Sequence, residues 1–272
     1  MASSLADVCE ILERLWPADG AEPWDASGLV SGRPDAPIER IVLTVDAVGQ
    51  TVNEAVDAHA DLLIAHHPLL LRGVTTIAED RYKGLLLARL IRADCALVAA
   101  HTNADVVADG TSAIFADLLG LRQTRPIVEG TRPNTGIGRV GRTDEPTTLG
   151  RFARRIADIL PATASGVRVA GDYDTPITTV ALCAGAGDAY LAEPAVVAAD
   201  VYVTSDLRHH PASEAREQAQ LRGGPALIDV SHWASEWLWL QTAQRQLQDA
   251  LPDASISVSQ TRTDPWDFTI VQ

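Results

Sequence analysis

Apolar residues recur along the chain in two spacings that predict alternating helices and strands. Leu5, Val8, Ile11, Leu12 and Leu15 fall at the three- and four-residue spacing of one helical face. Short continuous apolar runs predict buried strands at residues 41–45, 62–65, 96–100, 137–140, 177–183, 201–204 and 226–230, with a strand-like tail at 267–271. Further helices are predicted at residues 50–59, 81–93, 111–119, 148–160, 188–198, 211–221 and 232–249. This alternation favours parallel pairing and predicts an α/β fold.

The chain also contains a change of composition and an internal repeat. Proline and glycine punctuate a polar stretch between residues 123 and 136, where we place a domain junction. An aspartate, an apolar strand and then His-His-Pro occur at residues 61–68 and again, with a few extra residues, at 200–211. The repeat predicts two related half-domains.

Charge and cysteine content narrow the functional class. The net charge of −14, from 22 basic and 36 acidic residues, argues against a non-specific nucleic-acid binder but permits an anionic small substrate beside bound cations. Cys9, Cys95 and Cys183 are scattered without a CxxC motif, and we expect Cys95 and Cys183 to be buried free thiols of a cytoplasmic protein. The acidic N-terminal segment is unlike a signal peptide, and no apolar run approaches the roughly 20 residues of a membrane span.

Histidines and carboxylates follow the carboxyl ends of several predicted strands. In open parallel sheets, ligands bind beyond these ends, so the side chains are candidates for one site. The candidates at strand ends are His66, His67, His101, Asp105, Asp206, His210 and His232.

Two of these segments have spacings that suit metal ions. His66 and His67 are adjacent and leave a strand in roughly opposite directions, which suits two ions better than one. His232 and Glu236 lie four residues apart, on one face of the predicted helix. Taken singly, the alternatives are histidines in a polar loop, an exposed His–Glu pair, and a helix cap at Asn103 or Asp105. Taken together, the segments favour metal binding.

The donor atoms are nitrogen and oxygen, without thiolate. Such a set suits Zn²⁺, Mn²⁺, Fe or Co²⁺ rather than a structural cysteine zinc site. About five ligands shared by two ions leave coordination positions for water, and the chemistry such a centre favours is hydrolysis.

Three other segments leave alternatives open. The glycine turn Gly185–Gly187 suits either an anion on backbone N–H groups or close packing. Residues 24–29 suggest a fixed turn to which the residues alone assign no chemistry. Three tryptophans around the His232 helix suggest a buried or interface face; they are Trp233, Trp237 and Trp239.

Several motifs, in order along nearly the whole chain, resemble those of the Nif-three-like family of dinuclear metal-centre hexameric proteins, also called GTP cyclohydrolase I type-two homologues. The motifs are Trp24-Asp25…Gly28-Leu29…Gly32, Ala65-His66-His67-Pro68, His101-Thr102-Asn103-Ala104-Asp105, Gly185-Ala-Gly187, Ser205-Asp206…His210, Ile228-Asp229…His232…Glu236 and Thr263-Asp264-Pro265. The chain departs from the family pattern at Ala26, Ser205, Ser231 and Trp233. None of these positions is an implied ligand, so we expect the departures to affect the substrate pocket rather than the metal site.

The resemblance implies a Nif-three-like fold of two similar three-layer α/β domains. The first domain would be built from both chain ends, residues 1–125 and 226–272, and the second from residues 126–225, without an inserted third domain. It also implies a toroidal homohexamer.

The resemblance further implies a ligand set for two divalent ions, with Glu236 bridging them. That set is His66, His67, Asp105, His232 and Glu236, with His101, Asp206 and His210 nearby for substrate binding or proton transfer. The expected function is a dinuclear metal-dependent hydrolase acting on a nucleotide or a related phosphorylated or heterocyclic compound. The alternative is a non-enzymatic metal-binding regulator, scaffold or metal chaperone.

Overall fold

The computed structural model describes residues 2–271, in which strands alternate with helices as the sequence predicts. The strands are β1 (Ser3–Ser4), β2 (Gly28–Ser31), β3 (Pro37–Ile38), β4 (Arg40–Asp46), β5 (Leu62–His67), β6 (Ala96–Ala99), β7 (Arg122–Arg125), β8 (Val128–Glu129), β9 (Gly136–Ile137), β10 (Arg139–Thr148), β11 (Arg168–Ala170), β12 (Pro176–Ala186), β13 (Val201–Ser205), β14 (Ala226–Val230) and β15 (Ser255–Val258). The helices are α1 (Leu5–Leu15), α2 (Gly49–Asp57), α3 (Tyr82–Arg92), α4 (Thr102–Asp105), α5 (Thr111–Leu118), α6 (Leu149–Ile159), α7 (Pro194–Val197), α8 (His209–Arg222) and α9 (His232–Ala250). The predicted α/β class is confirmed.

The chain forms two compact units, here called unit 1 and unit 2. Unit 1 consists of the residues up to Ala104 together with Leu240–Thr263, and unit 2 of Asp105–Trp239 together with the residues from Asp264 onward. The sequence-based division assigned residues 105–125, residues 226–239 and the residues from Asp264 onward to the first domain. In the structure all three segments lie in unit 2, the first two because α5 packs on the core of that unit and β14 pairs with β13.

The sheet of unit 1 has five strands in the order β15-β4-β5-β6-β2. The first four strands are parallel, and β2 runs antiparallel to β6. On one face, Val42, Leu63 and Leu97 pack against Val52 of α2 and Leu90 of α3, and all five side chains are buried. Because β15, β4, β5 and β6 are parallel, their carboxyl ends lie along one edge of the sheet.

The sheet of unit 2 has six strands in the order β11-β14-β13-β12-β10-β7. Its central strands β12, β13 and β14 are parallel, and the flanking strands pair antiparallel to their neighbours. Phe115 of α5 and Phe152 of α6 belong to the core on one face, and Val196 of α7 and Tyr202 belong to the core on the other. Both faces of this sheet are therefore covered.

The predicted internal repeat appears as the same hydrogen-bond pattern in both units. At the start of β5, Asp61 Oδ2 accepts from the backbone N–H groups of Glu39 and Arg40, each at 2.8 Å. At the start of β13, Asp200 Oδ2 accepts from the backbone N–H groups of residues 178 and 179, at 2.8 and 2.7 Å. Each aspartate thus ties the entry of one parallel strand to the strand beside it.

Two predicted elements are wrong. The helix expected over residues 188–198 is a 3-10 turn, Asp188–Tyr190, followed by the short α7, in which Pro194 occupies the first turn. Proline is compatible with a helix start but not with a helix interior. The tail at residues 267–271 has no strand partner, whereas β15, which was not predicted, pairs with β4. No helix within residues 2–271 combines the length and apolar character needed to cross a bilayer.

Candidate metal centre

Unit 1 brings three of the predicted histidines together. His66 and His67 are the last two residues of β5, and His101 follows β6, the adjacent parallel strand. The ring centroids are 5.1 Å apart for His66 and His67, 5.3 Å for His66 and His101, and 5.4 Å for His67 and His101. Each ring has a nitrogen within 4.8 Å of one nitrogen on each of the others. Three imidazoles this close form a candidate cation site.

The Nδ1 atoms of the three rings all face hydrogen-bond acceptors. His66 Nδ1 donates to the carbonyl of Ala100, His67 Nδ1 to Asp46 Oδ1, and His101 Nδ1 to Asp25 Oδ1, each at 2.7 Å. A carbonyl or carboxylate oxygen only accepts, so each Nδ1 bears the proton. In the neutral ring the lone pair is then on Nε2. This tautomer is the one that metal-binding histidines adopt when a second group orients them.

Asp25, which the sequence alone could not assign, is the acceptor that orients His101. Its side chain is 1% exposed, and it also accepts from Thr102 Oγ1 at 2.5 Å and from Ser27 Oγ at 2.7 Å. Burial by itself raises the pKa of Asp25, but the hydrogen bonds from His101, Thr102 and Ser27 hold that pKa well below its usual range. Asp25 is therefore ionised and favours a positive charge near His101.

Asp46 plays the equivalent part for His67. One carboxylate oxygen of Asp46 accepts from His67, and the other accepts from Thr263 Oγ1 at 2.5 Å. Thr263 belongs to the Thr-Asp-Pro motif near the end of the chain. The motif thus supplies a donor that fixes the carboxylate orienting a candidate ligand.

Replacing Asp46 with asparagine is expected to weaken metal binding about 10- to 100-fold, because the amide is a poorer acceptor for the His67 N–H. Competition with a chromophoric chelator measures the affinity. Asp57→Asn, at the exposed end of α2, is the control and should bind metal as the wild type does. Equal affinities for the two variants would contradict an orienting role for Asp46.

Unit 2 places His232 and Glu236 side by side. Both lie near the start of α9, just beyond β14, and His232 Nε2 is 2.9 Å from Glu236 Oε1. His232 Nδ1 donates to Asp206 Oδ2 at 2.7 Å. Burial by itself lowers the pKa of His232, but the carboxylates of Glu236 and Asp206 raise it well above its ordinary value. The pair of carboxylates therefore creates a position that favours positive charge.

The glycine turn after β12 packs directly against this pair. Gly185 has φ +72°, and a Cβ at that position would overlap Glu236 Oε1 and lie 3.3 Å from His232 Nε2. The Gly185 N–H donates to Ser235 Oγ at 2.9 Å, so this amide is engaged within the protein. A Cβ on Gly187 would overlap the hydroxyls of Tyr202 and Thr204. Of the two interpretations of the turn, the structure favours close packing over an anion cradle.

Asp105 also lies in unit 2, where Thr111 Oγ1 donates to its Oδ1 at 2.5 Å. Burial, together with the charges of Asp105 and Glu236, raises the pKa of Cys183 to about 12. The backbone after Asp105 is held by buried Arg139, whose Nη2 donates to the carbonyl of Val107 at 2.9 Å. The side chain of Asp105 and the backbone that follows it are therefore both held by hydrogen bonds.

The remaining candidates lie in different surroundings. His210 is the second residue of α8, is exposed, and has its ring centroid 5.2 Å from that of His209. Asp206, at φ +57°, orients His232.

Trp233 and Trp239 are buried, at 6% and 1% exposure, as expected for a packed helix face. Cys95 and Cys183 are buried free thiols, as predicted.

The side chains fit divalent cations in their chemistry. Histidine nitrogen and carboxylate oxygen suit Zn²⁺, Mn²⁺, Fe and Co²⁺. In both units an oriented imidazole lies beside a carboxylate, and second acceptors of this kind accompany metal-ligating histidines. His/Glu groups of this chain could therefore hold metal ions.

Comparison with known proteins adds the family. The family model of Duf34/NIF3 (NGG1p interacting factor 3) matches residues 3–265. The chain belongs to the Duf34/NIF3 family. A Streptomyces coelicolor member named "GTP cyclohydrolase 1 type 2 homolog" is 45% identical, over 96% of this chain and 93% of its own length. A Mycobacterium leprae protein with the same name is 32% identical, over 98% of this chain and 96% of its own.

Solved structures of the Duf34/NIF3 family agree on the fold. A Bacillus cereus protein related to NIF3 aligns with a TM-score of 0.87 at 22% identity, covering 99% of this chain and 100% of that one. The resemblance inferred from the motifs is thus confirmed for the family and for the fold.

Proposed function

We propose that this Duf34/NIF3 protein is a metal-dependent hydrolase that binds two divalent cations. Its substrate would be a nucleotide or a related phosphorylated or heterocyclic compound. The proposed ligands are the five side chains implied by the resemblance: His66, His67, Asp105, His232 and Glu236.

The main support is the state of the candidate imidazoles. In the His66, His67 and His101 cluster every Nδ1 donates to an oxygen at 2.7 Å, so the lone pairs reside on Nε2 when the rings are neutral. His232 follows the same rule through Asp206. In each unit, these Nδ1 hydrogen bonds give the histidines the orientation that second hydrogen-bond partners give to metal-binding histidines.

The side chains suggest separate roles in the reaction. A bound divalent cation supplies Lewis acidity and makes water more acidic. The Asp25–His101 pair would transfer protons, because Asp25 fixes the tautomer that leaves His101 Nε2 basic and stabilises the imidazolium that forms. Asp206 and His210 were predicted to be catalytic. We propose that Asp206 acts through His232, while a role for exposed His210 in proton transfer stays a prediction.

The substrate class is the least constrained part of the proposal. The relatives' name, GTP cyclohydrolase 1 type 2 homolog, suggests a purine nucleotide as the first compound to test. A chain with a net charge of −14 would bind such an anion only where cations reverse the local charge. Substrate binding should therefore require the metal.

Replacing Glu236 with glutamine tests the proposal. The change keeps the size of this buried side chain but removes the charge beside His232. We expect the variant to lose most of its bound metal. It should hydrolyse GTP, or whichever phosphoesters the wild type hydrolyses, at least about 100-fold more slowly than the wild type. Elemental analysis gives the ions per chain, and a panel of nucleotides and phosphoesters gives the turnover.

The control is Glu54→Gln in unit 1. Glu54 also accepts hydrogen bonds from two hydroxyls, those of Ser259 and Thr261 at 2.6 and 2.9 Å, and within residues 2–271 it belongs to neither group of side chains that could hold an ion. It should retain metal and turnover. Full metal content and full turnover in Glu236→Gln would count against the proposal, and a metal-replete wild type inactive on the whole panel would favour a regulator or scaffold.

We also propose that the protein acts in the cytoplasm as a homohexamer, as the resemblance implies. The three free thiols suit a reducing compartment. Sedimentation velocity at several concentrations measures the number of subunits.

A further inference from the structure

We propose that Trp24 is the platform on which a planar heteroaromatic ring of the substrate stacks. This inference rests on the proposed function and specifies the substrate as one with an aromatic base. Trp24 is 59% exposed, and its ring centroid is 5.8 Å from that of His101, with the two planes at 75°. An edge-to-face contact covers at most one face of the indole, so the other face is available beside the histidine cluster.

The turn that bears Trp24 is held from both sides. The N–H of Glu22 donates to Thr102 Oγ1 at 2.9 Å, and the N–H of Asp25 donates to the carbonyl of Glu22 at 2.9 Å. The Asp25 carboxylate in turn accepts from the N–H and the hydroxyl of Thr102, at 3.0 and 2.5 Å. Glu22 and Asp25, which lie on either side of the Pro23-Trp24 pair, are therefore both hydrogen-bonded to Thr102, the residue that follows His101.

A single exposed apolar side chain is ordinary on a protein surface and by itself indicates no site. Trp24, however, has a fixed backbone and shares its support with His101, because Asp25 binds both the imidazole and the Thr102 hydroxyl. An aromatic ring placed in this way loses little conformational entropy on binding a flat ligand. The geometry thus favours a small planar ligand that reaches the histidines.

The chemical class follows from the two neighbours. The indole face attracts a nucleobase or a similar heterocycle, whatever its hydrogen-bonding pattern, since every base has a π-face. The part of the ligand that reacts would then lie at the adjacent histidines, where the proposed metal would bind. A compound that joins a base to phosphate, or a heterocycle that is itself hydrolysed, satisfies both.

Binding of GTP and of inorganic triphosphate separates the base from the anion. Isothermal titration of metal-loaded, full-length protein should show that Trp24→Ala binds GTP about ten-fold more weakly, while its affinity for triphosphate and its metal content stay unchanged. Trp24→Phe should lie within about three-fold of the wild type, because a phenyl ring still stacks. Guanosine, titrated with and without chelator, reports on the stacking when no metal is bound.

The control variant is Tyr82→Ala. Tyr82 is 65% exposed in the same unit, and Lys83 Nζ lies 5.8 Å from its ring centroid. It should bind both probes as the wild type does.

Three results would overturn the platform. These are equal GTP affinity in the wild type and Trp24→Ala, equal weakening of GTP and triphosphate, and no GTP binding by the metal-loaded wild type. A Trp24→Ala protein with altered sedimentation but unaltered GTP affinity would identify a subunit contact instead. Metal content and turnover, measured on the same samples, show separately whether the hydrolase proposal stands.

Discussion

Replacing Gly185 with alanine is expected to abolish metal binding at His232 and Glu236 and to lower the free energy of unfolding by about 3 kcal/mol. Two effects combine. The backbone at φ +72° is unfavourable for any residue with a Cβ, and that Cβ would overlap Glu236 Oε1. Because Glu236 is buried at 3% exposure, its carboxylate has little space into which it can retreat.

The measurement has two parts. Urea unfolding of chelator-treated protein gives the stability, and elemental analysis after reloading gives the metal content. Gly166→Ala is a matched control, since Gly166 has φ +59° in unit 2 and a Cβ there would meet nothing within 4 Å. It should lose only about 1 kcal/mol, from backbone strain, and keep its metal. If Gly185→Ala and Gly166→Ala had the same stability and the same metal content, the close approach of Gly185 to Glu236 would not be needed for metal binding.

Replacing His67 with alanine should reduce metal affinity by at least about 100-fold, more than is expected from altering Asp46, which only orients it. As a proposed ligand, His67 would supply the lone pair itself from the end of β5. The free energy of unfolding of the apoprotein should change little. The His67 side chain is 26% exposed, so its removal does not create a closed cavity. Chelator competition measures the affinity, and thermal unfolding of the apoprotein measures the stability.

His209→Ala is the control for the loss of an imidazole. His209 is exposed at the start of α8, and its ring contacts that of His210. Its removal should leave metal affinity within about two-fold of the wild type, since exposed substitutions away from a site have small effects. Undiminished affinity in His67→Ala would remove this histidine from the ligand set.

The pattern of the sequence predicted the parallel strands well, because their apolar runs are buried on both faces. The strand predicted at residues 62–65 is β5, and the predicted 226–230 is β14. The prediction was wrong where a strand depends on a distant partner. The short β15 exists because β4 offers an edge, and the alternating tail at residues 267–271 forms no strand because it has no such edge.

The candidate site was predictable to a similar extent. The histidines that follow the predicted strands could be chosen as candidates from the sequence, because ligands bind beyond the carboxyl ends of parallel strands. The groups that orient them were not, since Asp25 lies 76 residues from His101 and Asp46 lies 21 residues from His67. A weak signal existed for Asp46, which directly follows an apolar strand, but only folding shows which ring it faces.

The aspartates at the entries of β5 and β13 have a consequence for how such a scaffold can change. Each aspartate fixes the register of its strand at the amino end, away from the candidate site. Residues at the carboxyl end can therefore be exchanged without a shift of the strand. The two copies illustrate this freedom, because one ends in His66-His67 and the other in Ser205-Asp206. With the same strand anchor in both units, the residues at the end of one strand can change while those of the other are kept. The carboxyl ends of β5 and β13 are therefore suitable positions for engineering new donor atoms.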